Sequence, residues 1–382
     1  MRHKLCILFI EWKSPGGVEK YANTLKKILT SKYDINLIKL EIHNINKTNL
    51  FLINWFYKIK YFVKLQEKLK TYNLVISFSQ LPALVSVFTS KKHIFFMSGS
   101  SFNYRESNII SKFYWAYFLQ PIIFLKTSAI VPAAPHLIPK QINRSYLAKK
   151  IHFINGLIDL KDLKNKFTKE SNLNLDLKKI GKYICISSAI LKHKGIIEFI
   201  NIFNSYIKFY NPKIKLIILG DGPNLNDCRL ICNKLSISWS NNLIDKKNKK
   251  TSIFFLGYKK NPLEYIKNSK AFIFPSFDEG LSNQLLEAIL CNVPIIATNC
   301  PGNKFIVENI KESDSKNSAP IKLLPPLSSK SSKKIWLKVI DNFINGNINF
   351  KNKARDNIVY KFSLEENSKK WINLTELLIK EK

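Results

Sequence analysis

Arginine is scarce in this chain. Only five residues, Arg2, Arg105, Arg144, Arg229 and Arg355, are arginine among 61 basic ones; the rest are lysine. Arginine reads guanine and clamps phosphate in a bidentate fork, which lysine cannot do. No zinc-finger or RNP-like string is present either, and together these absences argue against a dedicated nucleic-acid protein. Acidic residues are the second shortage: 27 stand against 61 basic ones, for a net charge of +34. Such a field draws anionic membranes, nucleic acid and phosphorylated substrates. The chain is also rich in Ile and Asn, as an AT-rich genome would make it, so codon usage accounts for part of the lysine excess.

Other absences narrow the chemistry. None of the six cysteines forms a CxxC pair, and several sit in apolar strand-like runs, so reduced, buried, cytosolic thiols are expected. The six histidines are scattered, with no HExxH and no Cys/His cluster, which removes a zinc site. No Asp-x-Asp closes a strand, and there is no Walker A loop and no G-x-G-x-x-G. No run reaches the length of a membrane span. The nearest, Phe113 to Leu125, is interrupted by Gln120 and Pro121; it reads as a buried core helix or as part of a lipid groove, with core preferred. Leu5 to Ile10 is too short for a signal-peptide core and is followed by Glu11 and Lys13, so it reads as a first strand.

What is present is an α/β rhythm. At 382 residues and 46% hydrophobic, the chain has material for two cores. Strand-like runs fall at Lys4–Ile10, Ile35–Leu40, Leu74–Phe78, His93–Met97, Ala129–Pro132 and Ile151–Ile154. They resume at Tyr183–Ser187, Lys215–Leu219, Ile253–Leu256, Ala271–Phe274 and Pro294–Thr298. Helical spacing separates them, as at Val18, Tyr21, Ala22, Leu25, Ile28 and Leu29, and at Ile196 to Tyr206. That alternation predicts parallel sheets, whose ligands sit beyond the carboxyl ends of the strands. In the second half these ends carry Gly, Pro or Ser. Lys161 to Lys182 is polar and predicts a linker; Lys311 to Lys334 predicts a loop. Phe51 to Leu69 mixes aromatics with Lys58, Lys60, Lys64 and Lys68. It reads either as an amphipathic helix on an anionic membrane or as a core helix with snorkelling lysines.

The most informative segment is Phe274 to Gly302, FPSFDEGLSNQLLEAILCNVPIIATNCPG. It reads as a strand end, an acidic turn, a helix, a second strand and a Pro-Gly turn. Glu279 lies at the turn and Glu287 within the helix. A helix start offers unpaired N–H groups to an anion, and a carboxylate can hold hydroxyls, so phosphate and sugar are the ligand classes to expect. The string resembles the donor-sugar motif of the family 4 retaining glycosyltransferases, a Glu-x7-Glu pair in a context close to EGL-x-N-x-x-LEA followed by PVIAT. The resemblance is strong from about Ile180 to Gly302. Elsewhere it rests on Gly16-Gly17-Val18-Glu19, similar to a GGxE turn, and on Ile154-Asn155-Gly156 with Asp159.

The resemblance implies the GT-B fold: α/β, with two Rossmann-like domains whose parallel sheets face across a cleft. Residues 1–170 would form the acceptor-side domain, residues 171–360 the nucleotide-sugar domain, and residues 361–382 a helix crossing back to the first. It implies that Glu279 faces the donor sugar and Glu287 the ribose. Their blander readings are a helix-dipole acid and a solvated helix residue. Gly280, Leu281, Ser282 and Asn283 would meet the diphosphate through backbone N–H groups, although Ser282 or Asn283 also reads as an N-cap. Lys194 resembles the lysine of the family's phosphate motif, against a plain surface lysine. Gly16 and Gly17 would let the first loop approach the diphosphate from the other domain, with an ordinary turn as the other reading, and Gly222 and Tyr258 stand in loops that resemble those lining the family's nucleotide pocket.

Three departures stand out. Ala189 occupies the position of an expected arginine, Ser98-Gly99 stands where the family often has His-Gly on the acceptor side, and Asn292 replaces a glycine. The expected activity is transfer of a sugar from a nucleotide-sugar, a UDP-sugar, to a glycan or lipid-linked acceptor in bacterial surface-polysaccharide assembly. No cofactor, metal or nucleic acid is expected. The expected location is the cytoplasmic face of the membrane, against anionic lipid. The alternatives are a non-catalytic nucleotide-sugar-binding protein, motivated by Ala189 and Ser98, and a nucleotide-sugar epimerase on the same architecture.

Overall fold

The computed structural model describes residues 2–10, 16–40, 51–89, 92–99, 115–138, 146–168, 173–243, 250–311, 321–327, 329–346 and 360–381. The chain divides into two compact units: Met1–Leu157 with Phe362–Lys382, and Ile158–Lys361.

The first unit is built on β1 (Lys4–Ile10), β2 (Asp34–Leu40), β3 (Leu74–Phe78), β4 (His93–Met97) and β5 (Ala129–Pro132). All neighbours pair in parallel, in the order β2-β1-β3-β4-β5. The central strands are buried on both faces, which explains their unbroken apolar sequences. Ile151 contributes only a single bridge to Ile130 rather than the expected strand. The described side chains of helix Phe51–Leu69 favour the core reading: Leu65 and Leu69 are buried with Cys6, Leu8, Leu40 and Val75, while Lys60, Lys64 and Lys68 point outward. The side chains of residues 51–59 lie outside the described set.

The C-terminal helix Leu364–Lys380 belongs to this unit. Ser363 caps it by accepting from Glu366 N at 3.2 Å. Trp371, fully buried, donates its indole N–H to the Tyr21 hydroxyl at 3.0 Å, and its ring lies edge-on to that of Tyr21. Lys32 pairs with Glu376, and the Lys92 ammonium donates to the carbonyls of Leu378 and Glu381.

The second unit carries β6 (Tyr183–Ser187), β7 (Lys215–Leu219), β8 (Trp239–Ser240), β9 (Ile253–Phe255), β10 (Ala271–Phe274), β11 (Ile295–Thr298) and β12 (Ile321–Leu324). These form one parallel sheet in the order β12-β11-β10-β6-β7-β9-β8. Helix Ile196–Phe209 buries Phe199, Ile200 and Phe203 at i, i+1 and i+4 against the sheet. Two sequence expectations differ. The segment read as a linker contains the helices Leu160–Thr168 and Leu173–Ile180, and the segment read as a loop contains β12 and the start of helix Lys330–Asn345. Lys/Asn composition hid both, because a helix or edge strand with one wet face needs few apolar residues. Asn292 takes φ +53, the left-handed conformation in which asparagine can stand in for glycine.

Candidate functional site

In a doubly wound sheet the chain reverses direction once, and the helices on either side of that reversal leave a crevice at the carboxyl ends of two neighbouring strands. In the second unit, β6 is followed by β7 on one side, and the chain returns to place β10 on the other. The reversal therefore lies between β6 and β10. Lys194 follows β6 and Glu279 follows β10, and their side chains meet there: Lys194 Nζ lies 2.6 Å from Glu279 Oε1, with side chains only 14% and 9% exposed. Two sequence-predicted residues 85 positions apart are thus joined in one buried ion pair.

The loops that carry this pair are locked together. The 3₁₀ turn Lys192–Lys194 ends at Gly195 with φ +66, and a Cβ there would collide with the Pro275 carbonyl. Phe277 N donates to His193 O at 2.8 Å. Ser276 Oγ, buried, donates to His193 O at 3.3 Å and to Asp278 O at 3.1 Å. From the other side Gly302 supports the acidic turn: a Cβ on it would lie 2.5 Å from Gly280 O and 2.8 Å from the Glu279 carbonyl carbon. Ser276 and Gly302 were not singled out from sequence. Gly302 had a signal, a glycine one residue into a helix that follows a buried strand, and Ser276 had none beyond its place at a strand end.

Helix Asn283–Leu290 starts beside Glu279. Ser282 is its N-cap, its Oγ accepting from Leu285 N at 3.2 Å. Gly280 and Ser282 are buried, and Leu281 and Asn283 half-buried, so this helix start is embedded rather than waving in solvent. Glu287 lies in the interior of the same helix and is 7% exposed, which removes the solvated reading. Cys300, close to Glu279, is buried, and burial pushes its thiol up to about 11, so it stays protonated and unreactive at neutral pH.

A second layer lies at the ends of β6, β7 and β9. Gly220 N donates to Gly257 O at 2.8 Å, and Ile190 N to Asp221 O at 2.9 Å. Gly222 packs on Ile190 so closely that a Cβ would lie 2.8 Å from its carbonyl carbon. Ala189, half-buried, sits in the same cluster, and Tyr258 is exposed just after Gly257. Lys194, Gly222, Tyr258 and the residues from Glu279 to Glu287 therefore all stand at the carboxyl side of one sheet. Gly17 and Ser98 belong to the first unit. Gly17 opens helix Gly17–Leu29 after β1, at that sheet's own reversal between β1 and β3, and Ser98 follows β4 half-buried. Residues 100–114, which follow Gly99, lie outside the described residues.

Among the described residues no group of three or more His, Cys, Asp or Glu side chains is placed to hold a metal ion. What the arrangement offers is a buried carboxylate–ammonium pair beside a capped helix start, with a second buried carboxylate about one turn into that helix. That set can bind an anion and hydroxyl groups at once.

Residues 168–313 match the family model described as Glycosyl transferases group 1, so the second unit carries a domain of that kind. An uncharacterized glycosyltransferase of Methanocaldococcus jannaschii is 38% identical over 23% of this chain, a match that spans only 19% of that protein. The N-acetylgalactosamine-N,N'-diacetylbacillosaminyl-diphospho-undecaprenol 4-alpha-N-acetylgalactosaminyltransferase of Campylobacter jejuni is 25% identical over 76% of this chain and 80% of its own length. Among solved structures, Anabaena HepE in complex with UDP-glucose superposes with a TM-score of 0.67 at 15% identity, over 97% of this chain and 99% of that one. The fold is GT-B, two parallel-sheet α/β domains.

Proposed function

We propose that this chain is a retaining glycosyltransferase that moves a sugar from a UDP-sugar to a lipid-linked glycan in surface-polysaccharide assembly, without a metal, at the inner face of the cytoplasmic membrane. The observation that carries the reading is the buried Lys194–Glu279 pair at the sheet reversal, beside the helix start at Ser282. Support for the donor class comes from the UDP-glucose held by the similar Anabaena protein, and for the acceptor class from the diphospho-undecaprenol named for the Campylobacter relative.

As the sugar–diphosphate bond breaks, positive charge builds on the sugar and negative charge on the leaving group. The ammonium of Lys194 and the N–H groups from Gly280 to Asn283 oppose that negative charge in a site shielded from water. Lys194 would exchange Glu279 for a phosphate oxygen when donor enters, and Glu279 would orient the sugar hydroxyls. Glu287 anchors the ribose hydroxyls. Ala189 leaves this loop without a guanidinium, so the leaving group is held by fewer cations than the family pattern supplies.

Ligand-observed NMR with a panel of UDP-, GDP- and ADP-sugars, on the native protein and on Glu287→Ala, tests the donor site. Selective binding of one UDP-sugar that is lost in the variant supports it. Absence of binding across the panel contradicts it. Binding without transfer to any acceptor would favour the non-catalytic reading that Ala189 motivates.

A further inference from the structure

Lys194 and Glu279 are held so that only their side chains can part. On the lysine side, the turn Lys192–Lys194 ends at Gly195, which packs so closely on Pro275 that a Cβ there would overlap the Pro275 carbonyl. His193 O accepts from Phe277 N at 2.8 Å and from Ser276 Oγ at 3.3 Å, which ties this turn to the segment that leads into Glu279. On the glutamate side, Gly302 lies in the first turn of helix Pro301–Lys311, where a Cβ would overlap the carbonyls of Glu279 and Gly280. Backbones that already touch at glycines have no slack to give. Both side chains are mostly out of water, so counter-ions screen them weakly. When the ammonium swings to another anion, the carboxylate therefore stays inside the site.

A net charge of +34 draws phosphorylated molecules without telling them apart. At the site itself the ammonium and the carboxylate cancel. A bare diphosphate that takes Lys194 must break the pair and then lie beside the carboxylate of Glu279, a like charge in a poorly screened place. A diphosphate that carries a sugar brings hydroxyl donors, and a carboxylate accepts two or more of them. The sugar thus offsets for Glu279 the departure of Lys194, and the bare diphosphate does not. We propose that the pair is a charge filter, in which Glu279 sets a preference for sugar-bearing diphosphates over free UDP. Once the sugar has left, Glu279 recaptures Lys194 and product UDP is released. This role rests on the donor-site reading above and adds to it the discrimination of donor from product. The wrong ligand is turned away by the like charge it meets rather than by lack of room.

The test is calorimetry with free UDP, inorganic diphosphate and the UDP-sugar selected by the donor panel, on the native protein, Glu279→Gln and Glu287→Gln. The native protein should hold the UDP-sugar at least about tenfold more tightly than UDP. In Glu279→Gln, UDP and inorganic diphosphate should each bind at least about tenfold more tightly than in the native protein, with no such gain for the UDP-sugar. Glu287→Gln, which alters the ribose contact, should weaken UDP and UDP-sugar alike and leave inorganic diphosphate unchanged. Glu279→Gln removes the charge opposite Lys194 and can lower the stability of the fold. The double variant Lys194→Met, Glu279→Gln removes both charges and leaves neither uncompensated; there too the preference for the UDP-sugar should be lost. A native protein that binds UDP as tightly as the UDP-sugar overturns the proposal, as does a Glu279→Gln protein whose affinity for UDP is unchanged or weaker. So does a preference retained in the double variant. If neither UDP nor any UDP-sugar binds the native protein, the donor reading itself fails and the filter with it. If they bind and the variants leave the preference unchanged, the filter alone fails.

Discussion

At the residue scale three side chains, Lys194, Glu279 and Glu287, carry the proposed chemistry. Lys194 and Glu279 hold each other in a buried pair, so each is a partner the other cannot lose cheaply. Removing one member of a buried pair leaves an uncompensated charge, at a cost of about 3–5 kcal/mol. Lys194→Ala is expected to lower transfer rate by roughly 10²-fold or more through lost leaving-group stabilisation, and Glu279→Gln, which keeps shape without charge, to lower it less. Glu287→Ala should weaken donor affinity about tenfold or more, the value of one charge-assisted hydroxyl contact, as read by calorimetry. A fourth residue sets pH behaviour rather than chemistry. His93 in β4 is fully enclosed, with Ser77 Oγ 2.6 Å from Nε2 and Thr127 Oγ1 2.8 Å from Nδ1, and burial holds its pKa down to about 3. Because the folded pKa lies below the unfolded value, the unfolded chain takes up the proton first on acidification. Stability is then whole above about pH 6.5 and falls towards pH 3 by up to about 1.4 kcal/mol per pH unit. Denaturant titrations across that range should show the slope, and His93→Gln should flatten it. A slope unchanged in the variant would assign it to other groups.

At the element scale, the site is made by loops held against one another by glycines. Gly302→Ala must push on the backbone of Glu279 and Gly280. It is expected to destabilise the protein by about 1–3 kcal/mol, as overpacking does, and to lower activity beyond what the unfolded fraction explains. A variant that unfolds earlier yet turns over normally would deny Gly302 its supporting role. Elements were legible in the sequence where burial on both faces forces unbroken apolar runs: β1, β3, β4, β6, β7 and β10 lie where those runs lie. The two-residue β8, the edge strand β12 and the helices from Leu160 to Ile180 were not: β8 is too short to make a pattern, and in the others a few apolar residues stand among many lysines, asparagines and other polar residues, so composition hid them. Within the site, the acidic turn and its helix could be read from one contiguous string. The meeting of Lys194 with Glu279 could not, since it depends on β6 and β10 being neighbours, and strand order is not written in any local pattern.

At the scale of the whole molecule, each unit carries its own parallel sheet, and the first unit recruits the helix Leu364–Lys380 from the far end of the sequence. Trp371 is the anchor of that recruitment, fully buried and hydrogen-bonded to Tyr21. Trp371→Ala should cost about 3–5 kcal/mol, seen as a lower unfolding midpoint, while Trp371→Phe, which keeps most of the ring, should cost markedly less. The proposed chemistry also predicts that transfer proceeds undiminished in excess EDTA, and a loss restored by divalent cation would bring a metal into the mechanism. The most direct measurement of the central claim is transfer of radiolabelled sugar, from the donor identified by binding, into the lipid fraction of membranes carrying lipid-linked glycan. The native protein should label that fraction with loss of UDP from the donor, and Lys194→Ala should do so at least about 10²-fold more slowly. Equal labelling by the variant, or no labelling by a native protein that binds the donor, would contradict the account.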